Sequence, residues 1–148
     1  IGLGIPAEPL FRSVIMLELA VENLPERSAS VQKRNAELRA ALCQHPEVRI
    51  NSPENAIPHI LNLSVRDVKG TVFQRELDAH GVCVSVKSAC SSDGLPSRAV
   101  FAVSRDRRNA LSSWRISLSH LTTEAEIQEF LRVFDVCCQQ LTAAHGDR

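Results

Sequence analysis

Alternation of apolar and polar residues with a period of two marks three stretches of this chain as strands, because successive side chains of a strand point to opposite faces. In His59 to Val65, Leu61, Leu63 and Val65 oppose Ile60, Asn62 and Ser64. In Val82 to Lys87, three valines alternate with Cys83, Ser85 and Lys87. In Leu111 to Leu118, Trp114, Ile116 and Leu118 alternate with Arg115, Ser117 and Ser119. Val48 to Ile50 is a shorter candidate, followed by a loop over Asn51 to Asn55.

Helical spacing fills the intervals. Pro9 to Leu24 is apolar almost throughout, which predicts a helix buried on several sides. Glu26 to Cys43 predicts a second helix with Val31, Leu38 and Leu42 on one stripe, stopped by His45 and Pro46. Gly70 to Ala79 predicts a third, and Gly81 stands where a left-handed cap needs no Cβ. Pro96 to Val103 suits one or two helical turns, and Ser104 to Asn109 reads as a charged loop. Thr123-Glu124-Ala125-Glu126 is a capping box opening a last helix. Its apolar positions are Ile127, Phe130, Leu131, Phe134, Cys138 and Leu141, and the tail from Thr142 to Arg148 is expected to fray. The fold expected is α+β, a small mostly antiparallel sheet of three to four strands covered by helices.

Composition narrows the function classes. At 148 residues there is room for one domain with a core. Lys plus Arg and Asp plus Glu both number 17, so no net field recommends nucleic acid or an anionic membrane. No apolar run reaches the ~20 residues that span a bilayer. Five cysteines, with no Cys-x-x-Cys pair, point to neither a disulfide framework nor a metal site, and reduced thiols suit the cytoplasm. The chain begins at Ile1, and it is expected to be part of something longer.

Two residues carry candidate chemistry. Cys90 lies among Ser88, Ala89, Ser91 and Ser92, none large enough to cover it, and Lys87 is nearby. An accessible thiol beside a cation suits a nucleophile, because the thiolate is the reactive form; an idle loop cysteine is the other reading. Arg115 sits in mid-strand on the polar face, where desolvation is costly without a partner. Its planar fork matches a carboxylate, either of a structural salt bridge or of a ligand.

Ser88-Ala89-Cys90 after a Gly-Val-x-Val-Ser strand resembles the active-site segment of the cysteine desulfurases, pyridoxal-phosphate enzymes of the class V aminotransferase group. Trp114-Arg115-Ile116-Ser117 and Thr123-Glu124-Ala125-Glu126-Ile127 are similar to that family's Arg-x-Ser strand and last-helix start. Pro58-His59-Ile60-Leu61-Asn62-Leu63-Ser64 resembles its Pro-Asn-Ile-x-Asn-x-Ser strand, and Gly4-Ile5-Pro6 its Gly-Thr-Pro. The resemblance implies that residues 1–148 form a single C-terminal small domain, as in fold-type I pyridoxal-phosphate enzymes. It implies that Cys90 takes sulfur from L-cysteine as a persulfide, leaving L-alanine, and that Arg115 grips the substrate carboxylate. It also implies a homodimer and a sulfur acceptor or iron–sulfur scaffold as partner. Departures are equally specific. Lys33, Lys69 and Lys87 do not stand in the His-Lys setting that anchors pyridoxal phosphate. No cofactor-binding residue is therefore expected here, no covalent cofactor, and no desulfurase activity from this chain alone. Two alternatives belong to other classes: a stand-alone sulfur-accepting or scaffold-docking module, and another class V enzyme such as a selenocysteine lyase or an aminotransferase.

Overall fold

The computed structural model describes residues 7–86 and 95–146. Helices α1 (Ala7–Glu22) and α2 (Leu24–Leu42) lead to strands β1 (Val48–Ile50) and β2 (Ile60–Val65). Helices α3 (Gly70–Ala79), α4 (Arg98–Ser104) and α5 (Arg107–Ser112) precede β3 (Ser113–Ser117), and α6 (Glu124–Gly146) closes the chain. The sheet is antiparallel in the order β1-β2-β3. This is the expected α+β class, with three strands.

Register divides the sheet into two unlike faces. Val65 pairs with Val48, Leu63 with Ile50 and Trp114, and Leu61 with Ile116. That apolar face receives α2, α3 and α6 through Leu38, Leu42, Phe73, Leu77, Ile127 and Phe134, all buried. Trp114 lies stacked on Phe73 with ring centroids 5.1 Å apart, and Phe134 tilts against both rings. On the other face Arg49 pairs with Ser64, Ser64 with Ser113, and Asn62 with Arg115. The short α5 packs over part of this face, with Ser64 Oγ donating to the Asn109 carbonyl at 3.1 Å.

Two glycines are placed by necessity. A Cβ at Gly70 would stand 2.5 Å from the Ser113 carbonyl oxygen, so only glycine lets α3 start this close to β3. Gly81 adopts φ +78°, the left-handed cap expected of it. The capping box also forms: Glu126 accepts from the Thr123 N–H at 2.7 Å, and the Glu126 N–H donates to Thr123 Oγ1 at 3.2 Å.

Four expectations are corrected. From Ser13 to Glu22, α1 is exposed rather than buried on several sides, with Met16 66% and Leu17 65% accessible, because its main neighbour among the described elements is α2 alone. Val82 to Val86 is not a full strand: Ser85 alone bridges to Arg115. The charged stretch is not all loop, since Asp106 caps α5 by accepting from the Asn109 N–H at 3.1 Å. The last helix runs on through Thr142 to Gly146, with Thr142 Oγ1 donating to the Cys138 carbonyl at 2.7 Å.

Candidate active site

The polar face of the sheet borders a cavity of about 900 Å³ between β2, β3 and α4. Its wall contains Arg49 and Arg115 from the strands, Arg98 and Ser97 from the start of α4, and Asn62 beside Arg115. Among the described lining residues there is no acid. Three guanidiniums, of which only Arg49 faces a described carboxylate, suit this wall to an anion, and planar forks favour a carboxylate or phosphate group.

Arg115 is half-buried, and its Nε is buried with no hydrogen-bond partner among the described residues. A structural salt bridge, the alternative left open by the sequence, is not formed with any described acid. An unpaired buried donor is costly to keep, of order 1–3 kcal/mol, which singles it out from ordinary surface arginines. Arg49, at the outer edge, has its Nη1 3.6 Å from Asp106 Oδ2, a solvent-exposed pairing of little energetic weight.

The polar residues around Arg115 are held to one another. Asn51 Nδ2 donates to Asn62 Oδ1 (2.9 Å) and to Ser64 Oγ (2.8 Å), while Asn109 Nδ2 donates to Asn51 Oδ1 (2.8 Å). Ser52 Oγ accepts from the Asn62 N–H at 2.9 Å. The sequence analysis missed this network and Arg49. The network's members lie far apart along the chain, and β1 is too short to show alternation.

Cys90, with Lys87, lies outside the described residues. The described residues on either side of it, Val86 and Leu95, both line the cavity. Just before it, the Arg115 N–H donates to the Ser85 carbonyl at 2.7 Å, and the Ser85 N–H donates to the Arg115 carbonyl at 3.2 Å. None of the described cysteines lines the cavity. Cys137 and Cys138 are core residues, as expected. Burial and a hydrogen bond to Glu47 push the Cys138 thiol up to about 12, far from a reactive thiolate.

The chain matches the family Aminotransferase class-V over residues 10–130. It belongs to the class-V aminotransferases. Within that family it is similar to the cysteine desulfurase IscS of Clostridium botulinum, 31% identical over 129 residues that cover 84% of this chain and 32% of that protein. A cysteine desulfurase of Nostoc sp. is 27% identical over 145 residues, 97% of this chain and 34% of the relative. The solved structure of a NifS-like protein from Rickettsia africae superposes with a TM-score of 0.70 at 26% identity, covering 80% of this chain and 31% of that one. The resemblance to cysteine desulfurases read from the motifs is borne out. This class-V chain spans about a third of the length of the curated relatives it matches.

Proposed function

We propose that this chain is the small domain of a pyridoxal-phosphate-dependent cysteine desulfurase, in which Arg115 receives the carboxylate of L-cysteine and Cys90 takes its sulfur. One observation carries the reading: a half-buried guanidinium, unpaired among the described residues, stands in the wall of a cavity whose described lining has no acid and includes Val86 and Leu95, the described residues on either side of the Cys90 segment. Cys90 lies five residues beyond Ser85, which is hydrogen-bonded to Arg115, and at ~3.3–3.6 Å per residue its Cα is at most about 18 Å from that anchor. That distance allows a thiol to enter the cavity and also to leave it toward an acceptor.

In this family pyridoxal phosphate supplies the electron sink that loosens the substrate's bonds. The described wall does not fit covalent attachment of it. Lys33 Nζ sits 3.9 Å from Glu37 on the exposed side of α2, Lys69 is an exposed residue preceding α3, and neither lines the cavity. The contribution of this chain is therefore a carboxylate grip and a thiol, with the cofactor held elsewhere in the protein. The grip orients the substrate so that its sulfur faces the incoming thiolate. A persulfide then resides on Cys90 until an acceptor, such as an iron–sulfur scaffold, removes it. No helix among the described residues is long and apolar enough to cross a membrane.

In the full-length protein supplied with pyridoxal phosphate and L-cysteine, mass spectrometry is expected to find one added sulfur on the Cys90 peptide. Cys90→Ser should abolish sulfur release while leaving the cofactor's absorbance intact. Unchanged turnover in Cys90→Ser refutes the assignment. The accessible position read for Cys90 also favours a second reading, a sulfur-accepting module. Efficient persulfide loading of this chain alone by a separate desulfurase would select that one.

A further inference from the structure

Away from the Arg115 cavity, a second group of reactive side chains converges where α2 ends, β1 begins and α6 passes over both. His45 Nδ1 lies 3.6 Å from Glu47 Oε1, and Cys138 Sγ lies 3.0 Å from the same oxygen. One ligand atom from each of the three falls within 4.8 Å of the others. None of the three lines the anion cavity.

The group is held in place from several directions. The Val48 N–H donates to the His45 carbonyl at 3.0 Å, closing a tight turn with Pro46 inside it. The Glu47 carbonyl accepts from the Arg66 N–H at 2.9 Å. The His45 ring meets Phe134 edge-on, with centroids 5.2 Å apart. On the ring's other nitrogen, Nε2 lies 3.2 Å from Asp135 Oδ1. His45 is thus flanked by a carboxylate on each ring nitrogen, Glu47 on the Nδ1 side and Asp135 on the Nε2 side. Glu47 Oε1 accepts from the Cys138 thiol, so a cation bound here would take the place of that thiol proton between sulfur, carboxylate and imidazole.

We propose that His45, Glu47 and Cys138 form a binding site for a zinc-class divalent cation, with Asp135 as the residue that positions the imidazole. Ligand bonds of about 2.0–2.3 Å in tetrahedral geometry put neighbouring ligand atoms roughly 3.3–3.6 Å apart, so the observed spacings need only small side-chain shifts. Thiolate, imidazole and carboxylate together select zinc, cobalt or cadmium over magnesium or calcium, which prefer all-oxygen sites. Binding replaces the Cys138 thiol proton, which leaves to solvent, and the ion's charge is balanced by thiolate and carboxylate. These three residues leave a fourth ligand to be supplied, and His45 and Glu47 are only half-buried, so water can supply it. The Asp135–His45 pair is the carboxylate–histidine arrangement that fixes ring orientation at such centres. The composition argued against a metal site because Cys-x-x-Cys spacing is absent; here the ligands come from elements distant in sequence.

The test is titration of the full 148-residue chain, reduced, with Co²⁺ and then Zn²⁺. One equivalent of Co²⁺ is expected to give a thiolate-to-metal charge-transfer band that Zn²⁺ bleaches. The band should vanish in Cys138→Ala and persist when Cys43, Cys83 and Cys90 are all changed to serine. Asp135→Asn, at an exposed position that leaves the fold intact, should weaken binding about 10- to 100-fold. Absence of a band in the wild type overturns the proposal, as does a band that survives Cys138→Ala, one lost in the triple serine variant, or unchanged affinity in Asp135→Asn.

Discussion

Replacing Arg115 by methionine separates a residue kept for a ligand from one kept for the fold. Methionine retains the unbranched stem that packs in the wall and removes the guanidinium. In the folded chain the Arg115 Nε is buried with no partner among the described residues. Deleting an unsatisfied buried donor relieves a penalty of order 1–3 kcal/mol, less whatever solvation the half-exposed head recovers. Arg115→Met is therefore expected to raise the unfolding free energy by about 1 kcal/mol. Were the arginine half of a buried ion pair, the same change would lower stability by about 3–5 kcal/mol. The two accounts differ in sign.

Urea denaturation followed by the fluorescence of Trp114 reads this directly, since it is the single tryptophan and fully buried. A second arm tests the ligand. Propionate, compared with chloride at matched ionic strength, should raise the wild-type midpoint by mass action and leave Arg115→Met unmoved. On the proposed reading, loss of a charge-assisted carboxylate grip of about 2–5 kcal/mol in the full-length protein corresponds to roughly a 30- to 4,000-fold drop in kcat/KM for L-cysteine. A destabilised Arg115→Met variant, or one that responds to propionate as the wild type does, refutes the assignment.

Two other outcomes follow from the packing and the caps. Gly70→Ala should destabilise by about 1–3 kcal/mol despite alanine's higher helix propensity, because the new methyl would meet the Ser113 carbonyl oxygen at 2.5 Å; a neutral or stabilising change in the urea midpoint removes that close approach. The Glu126 carboxyl titrates below its ordinary value of 4.5, chiefly because it accepts from the Thr123 backbone N–H and hydroxyl. A depressed carboxylate stabilises the folded state above its unfolded pKa, and that contribution is lost as pH falls through the folded value. Amide exchange in the first turn of α6 should accordingly rise as pH is lowered beneath about 4.5, relative to the intrinsic rate, and Glu126→Gln should flatten the dependence. Identical pH profiles in the two proteins contradict the cap.

Much of the fold was legible where one residue's chemistry decides a local conformation. Period-two alternation located β2 and β3 because one face of each is buried. The capping box and Gly81 marked helix ends because each satisfies a particular backbone demand. Legibility failed where burial depends on what lies opposite. The apolar run of α1 predicts a face that wants cover, yet periodicity does not say whether a covering layer exists, and Met16 and Leu17 stand exposed. The valines before Cys90 have strand composition, but only Ser85 reaches a partner. Asp106 was read as one charge in a loop; the signal available was an aspartate three residues before Asn109, the spacing of an N-cap. In the site, Arg115 was found because arginine in mid-strand is anomalous by itself. Arg49 and the asparagine network are unremarkable singly and acquire meaning only once β1, β2 and α5 meet.

That network bears on why Arg115 has no partner among the described residues. The acceptor nearest in register is Asn62, directly across from it on β2. Asn62 Oδ1 is already engaged by Asn51 Nδ2, which is itself held through Asn109. The nearby acid, Asp106, caps α5 and faces Arg49 instead. These two described acceptors are thus committed elsewhere by geometry set in another element. Among the described residues the guanidinium therefore has no acceptor to exchange, and on the proposed reading a bound carboxylate would displace none of them. The same arrangement underlies the predicted stability gain in Arg115→Met: among the described residues no acceptor is lost when the guanidinium is removed.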